Sequence, residues 1–110
     1  MVDMLTAARR AVARLGQTAL EEFESDTDLQ WIMFSQIVLI GEAAARMPSD
    51  ARNLFPEVPW SQAVSMRNRV VHGYDSIDWK IVYETVSGEL PNLIAILESK
   101  LGPGLEVDLG

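Results

Sequence analysis

From Trp60 the chain reads Trp60-Ser61-Gln62-Ala63-Val64-Ser65-Met66-Arg67-Asn68-Arg69-Val70-Val71-His72-Gly73-Tyr74, and His72 is its single histidine. A guanidinium such as Arg67 can grip a phosphate through two parallel N–H bonds. An imidazole such as His72 exchanges protons near neutral pH. Together they suit cleavage of a phosphodiester without a metal, a reaction in which negative charge builds on the phosphoryl oxygens. If the segment is helical, Asn68 and His72 stand one turn apart on a shared face. A structural reading competes at this point: Arg67 pairs with Glu42, and His72 only caps the end of its helix.

These residues need a scaffold, and the spacing of apolar positions makes it helical. On a wheel of about 100° per residue, Trp60, Ala63, Val64, Val70 and Val71 gather around one direction, with Arg67 at its centre and Arg69 solvated. Pro59 suits the start of this helix and Gly73 its end. Before it, Met4, Leu5, Ala8, Val12, Leu15, Ala19 and Leu20 predict one amphipathic helix over Val2 to Phe23, fraying at its acidic end. Ser25, Asp26, Thr27 and Asp28 offer N-caps for a second helix, from about Asp28 to Met47, which Pro48 stops. A short turn through Leu54 and Phe55 follows. Asp75, Ser76 or Asp78 caps a last helix towards Leu101, which Gly88 and Pro91 kink or split near Leu90. No strand alternation is visible. The expectation is one helical domain over residues 1–101, with a flexible tail at 102–110.

The second helix is unusual. Between Trp31 and Ala45 the clearly polar side chains are Ser35, Gln36 and Glu42. A helix apolar nearly all round needs cover on more than one side, so part of this surface reads as a subunit interface, with a central core helix as the alternative.

Composition narrows the field. With 110 residues there is room for one domain, and 48% hydrophobic with 23% charged residues is ordinary globular composition. With 0 cysteines, disulfides and thiolate chemistry are excluded and a reducing, cytoplasmic setting is expected. One histidine per chain rules out a His-rich metal centre, and no apolar run suits a membrane span. The net charge of −7 argues against generic polyanion binding. It is unevenly spread: between Arg46 and Gly73, Arg46, Arg52, Arg67 and Arg69 outnumber Asp50 and Glu57.

The run Arg67-Asn68-Arg69-Val70-Val71-His72-Gly73-Tyr74 resembles the Arg-x4-His-x-Tyr motif of HEPN-domain ribonuclease toxins, specifically the HepT-like family. Ile40-Gly41-Glu42-Ala43-Ala44, Phe55-Pro56-Glu57-Val58-Pro59-Trp60 and Asp78-Trp79-Lys80-Ile81-Val82 agree with it in order, so the resemblance covers about Val2 to Leu101. It implies an all-α, four- to five-helix up-and-down bundle that dimerises, with metal-independent RNA endonuclease activity in the dimer cleft and no cofactor. By resemblance Arg67 and His72 are the catalytic pair, and Asn68 is their polar support. Tyr74 is the residue that a partner nucleotidyltransferase antitoxin modifies with AMP, and Glu42 is a supporting residue. One histidine per chain is consistent with a dimer, because cleavage through the RNA 2′-hydroxyl wants both a base and an acid. The competing reading is a non-catalytic helical subunit that docks a nucleotidyltransferase and helps bind its nucleotide.

Overall fold

The computed structural model describes residues 1–72 and 76–101, and of His72 the backbone only. The described residues form an all-α bundle with one two-stranded hairpin. The 102–110 tail and Tyr74 lie outside them.

The first expected helix is two. Helix α1 (Val2–Leu15) ends at Gly16, whose φ of 52° is a left-handed conformation that only glycine adopts freely. Gly16 donates its N–H to Val12 O at 3.0 Å. Helix α2 (Leu20–Glu24) starts afresh beyond it. Apolar spacing runs on through the break, which is why periodicity alone joins the two. The acidic end does not hang free: Phe23 is fully buried and meets the rings of Trp79 and Tyr83. The Tyr83 hydroxyl also donates to Thr18 O at 2.7 Å.

Helix α3 (Thr27–Ala45) takes Asp26 as its N-cap, with Oδ1 accepting from Leu29 N at 3.0 Å. It is the central helix. Met33, Ile37, Ile40 and Ala44 are fully buried between α1 and α5. Its far face is not covered: Trp31 is 52% and Leu39 48% exposed. Helix α4 (Ser49–Leu54) follows Pro48, and α5 (Trp60–Val70) follows Pro59.

Helix α5 stops before His72. Val71 is extended (φ −100°, ψ 121°), and Val71–His72 (β1) pairs antiparallel with Ser76–Ile77 (β2). Two consecutive β-branched residues favour that change of backbone. Val70 O, left without a helical partner, accepts from Asp78 N at 2.7 Å.

Asp78 caps α6 (Trp79–Glu84), with Oδ1 accepting from Ile81 N at 3.1 Å. The expected split falls next: Thr85–Glu89 form a π turn, and α7 (Leu90–Leu101) continues the rod. Pro91 has no N–H to keep the α ladder going. Leu90 N bonds Thr85 O, one residue further back than in an α-helix. The widened turn brings Leu90 fully into the core, in line with Val86 and Leu97. No described helix is long and apolar enough to cross a membrane.

Candidate functional site

Helices α3 and α5 touch at Gly41. A Cβ there would stand 3.3 Å from Ala63 O and 3.5 Å from Val64 O. A side chain there would have to push the Ala63 carbonyl back by a few tenths of an ångström. Beside the contact runs a groove of about 220 Å³ lined by Val38, Gly41, Glu42 and Ala45 of α3 and by Val64 and Arg67 of α5.

Arg67 is exposed in this groove rather than central to the buried face. The residues of α5 that reach the core are Trp60, Ala63, Met66 and Val70, which turns the buried direction away from Val64. The Arg67 Nη1–H donates to Asn68 Oδ1 at 3.3 Å. The competing Arg67–Glu42 pair does not form. Glu42 is exposed and faces Arg46, one turn along α3, at 3.6 Å. Glu42 still lines the same groove as Arg67.

The other arginines of the locally basic stretch are engaged. Arg52 donates to Ala44 O, Ala45 O and Met47 O at 2.9–3.2 Å, closing the carbonyl end of α3. Arg69, expected to be solvated, meets Glu89 Oε1 at 2.8 Å. Among the described residues Arg67 has no carboxylate partner and lines an open groove, whereas Arg46, which lines a second groove, has Glu42 beside it.

The helical placement of His72 is corrected. It stands on β1, with its Cα paired to Ser76, and so does not share an i, i+4 helix face with Asn68. The position of its imidazole, like the whole of Tyr74, lies outside the described residues. Backbone placement nonetheless puts His72 two residues beyond the last turn of α5, the turn that carries Arg67 and Asn68.

Two contributors escape a reading by residue type. Gly41 sets the depth of the groove, and its only signal is a glycine inside a long apolar helix. Glu89 reaches back to α5 from the π turn, and nothing in its neighbourhood marks it. At the other end of α5, Lys100 bonds the Glu57 carboxylate at 3.0 Å. That bond holds the Glu57 carboxyl below the usual range. Among the described residues no three His, Asp or Glu side chains cluster as metal ligands.

The chain matches the family described as Ribonuclease HepT-like over residues 4–99. It is 31% identical over 77 residues to a protein of Thermococcus cleftensis named "Probable ribonuclease HepT", covering 70% of each chain. A "Putative RNase" of Methanocaldococcus jannaschii is 28% identical over 98 residues, covering 89% of this chain and 81% of that one. Another protein of that name, from Caldanaerobacter subterraneus, is 29% identical over 82 residues, with 74% and 73% covered. No solved structure matches significantly.

Proposed function

The chain belongs to the Ribonuclease HepT-like family and is a ribonuclease, and on that premise we propose that it is the metal-independent RNA endonuclease toxin of a toxin–antitoxin pair. Arg67 and His72 carry the cleavage, Asn68 supports them, and two copies of the chain form the cleft. A minimal nucleotidyltransferase is the antitoxin, and AMP added to Tyr74 silences the enzyme. The observation that carries the reading is Arg67 itself: a guanidinium on an open groove, oriented by Asn68 and unpaired with any described carboxylate. Arg52 and Arg69 spend their guanidiniums on carbonyls and a carboxylate of the protein, whereas that of Arg67 has room for a phosphate from outside.

In the cleft, one His72 takes the proton of a 2′-hydroxyl. The freed oxygen attacks the adjacent phosphorus, and the bond to the 5′-oxygen breaks. The His72 of the second copy protonates that leaving oxygen. The products are a 2′,3′-cyclic phosphate and a 5′-hydroxyl. Arg67 stabilises the charge gathering on the non-bridging oxygens, with Asn68 fixing the plane of its guanidinium. The net charge of −7 favours a second reading, the non-catalytic docking subunit.

One assay separates the two. Purified chain is incubated with RNA in excess chelator, and the ends of the products are identified. Cleavage that persists in chelator, leaves cyclic phosphate ends and vanishes in both Arg67→Ala and His72→Ala is expected. Intact RNA with the wild-type chain would point to the docking subunit.

A further inference from the structure

Resting on that reading, we propose that Arg69 and Glu89 are a positioning pair that holds the last turn of α5, and with it Arg67 and the approach to His72, in the working orientation. On one side α5 is seated firmly, with its backbone against Gly41 of α3. On the other side it is not packed down. A cleft of about 240 Å³ separates it from α7, lined by Gln62, Ala63 and Met66 on α5 and by Glu89, Leu93 and Ile96 across from them. Two ion pairs flank this gap. Lys100–Glu57 at 3.0 Å lies just ahead of the start of α5, and Arg69–Glu89 at 2.8 Å lies at its end.

The second pair acts where restraint is scarcest. The final turn of a helix has carbonyls without helical partners, and α5 passes at Val70 into a hairpin of two residues per strand. Val70 O is held by Asp78 N, and the Val70 side chain is buried. Both contacts hold the end of α5 at its core side, and the Arg69–Glu89 pair adds a tether on the opposite flank of the cleft. Arg69 stands about 160° around the helix from Arg67. A tether on that side therefore opposes the roll that would carry Arg67 out of its groove. The guanidinium also lies back along α5 towards Gln62 O at 3.5 Å, bridging its own helix to the π turn. The π turn makes the reach possible: its slower rotation sends Leu90 to the core and leaves Glu89 on the flank facing α5.

The pair is partly exposed, 39% and 40% at the two side chains. Its loss is therefore expected to shift Tm by no more than about 4 °C. Misplacing a catalytic group by about 1 Å, by contrast, can cost up to ~100-fold in rate.

The test uses the full chain as Arg69→Gln, Glu89→Gln and the exchanged pair Arg69→Glu with Glu89→Arg. Steady-state cleavage of a fluorescent RNA is measured beside amide hydrogen exchange over residues 66–70. Each single variant should lose roughly tenfold or more in kcat with KM within about twofold, and exchange over 66–70 should rise. The exchanged pair should recover at least about threefold in kcat over either single variant and restore protection. Unchanged exchange in the single variants overturns the proposal whether or not the chain cleaves RNA, and so does a failure of the exchanged pair to recover. If KM rises in Arg69→Gln and falls in Glu89→Gln, Arg69 touches the RNA itself and the proposal is also overturned. Altered exchange in the single variants, with RNA left intact by the wild-type chain, would keep the pair and remove the ribonuclease reading instead.

Discussion

A Cβ added to Gly41 would come within 3.3 Å of the carbonyl oxygen of Ala63. Helices α3 and α5 therefore meet backbone to backbone, and the groove holding Arg67 and Glu42 begins beside that contact.

Two opposed effects act on Gly41→Ala. Alanine in a helix interior favours folding by about 1 kcal/mol over glycine. Forcing a methyl against a neighbouring carbonyl costs about 1–3 kcal/mol. Net stability should fall by no more than about 2 kcal/mol, while RNA cleavage falls more steeply because α5 is displaced a few tenths of an ångström. Gly41→Val should lower Tm clearly. Thermal melts and cleavage rates of the two variants check this; activity at the wild-type level in Gly41→Val would separate groove depth from function.

Removing Arg67 should cost activity and almost no stability. The side chain is exposed, and Glu42 has Arg46 at 3.6 Å, so no buried carboxylate is stranded. Arg67→Ala is expected to abolish cleavage with stability within about 0.5 kcal/mol of wild type. Arg67→Lys should be nearly as poor, since a point charge cannot hold a phosphate through two parallel bonds. Denaturant unfolding beside the cleavage assay measures both. A loss of several kcal/mol in Arg67→Ala would return the residue to a structural role.

The uncovered face of α3 predicts a dimer. Trp31 is 52% and Leu39 48% exposed, although Trp31 also meets the rings of Phe34 and Trp79 at 5.8 and 5.2 Å. Sedimentation at micromolar concentration should give about twice the 12.2 kDa chain mass. Leu39→Asp should shift the chain towards monomer without unfolding it, and reduce cleavage with it. A wild-type monomer would end the two-histidine mechanism.

Tyr74→Phe should keep ribonuclease activity and escape silencing. A phenol is a poor nucleophile at neutral pH, with a pKa of about 10, so transfer of AMP from ATP, with loss of pyrophosphate and the phenolic proton, needs an enzyme. The added phosphate would compete with RNA for Arg67 at high effective concentration. Intact-mass analysis after incubation with the partner enzyme, ATP and magnesium should show AMP-sized increments on the wild type and none on the variant. Equal labelling of both would move the site elsewhere.

The Lys100–Glu57 strut has a pH signature. Its hydrogen bond with Lys100 depresses the Glu57 carboxyl below its unfolded value. Its stabilisation is therefore present above the unfolded pKa of about 4.3 and is lost as pH falls through the lower folded pKa. The Tm difference between wild type and Glu57→Gln should be constant above about pH 5 and shrink as pH falls from the unfolded pKa of about 4.3 through the lower folded one. A difference that persists at pH 2.5 in melting curves would place the effect in packing.

Much of this chain's architecture could be read from its residues because the signals are local. Helix α3 announces itself by an Asp cap, a largely apolar run and a terminal proline. The split near Leu90 follows from Gly88 and Pro91. Arg67, Asn68, His72 and Tyr74 stand out for the same reason, as a motif within one stretch of chain, while Tyr74 and the His72 imidazole lie outside the described residues. Where local signals conflicted, the prediction failed. Apolar spacing ran through Gly16 and hid its turn, and the wheel carried α5 through Val71 and set His72 on its face, although Val71 turns to strand. Three matters needed the tertiary structure, because each depends on which of several possible neighbours a group meets. Gly41 proved to be a point of helix contact. Arg69 found Glu89 twenty residues away through a π turn that ends at the Leu90-Pro91 step, with Leu90 in the core. Arg46 took Glu42 and left Arg67 facing the groove. Residue types and spacing determined which side chains could do chemistry; the partners competing for each charge in three dimensions decided which arginine of that stretch is left on a groove without a carboxylate.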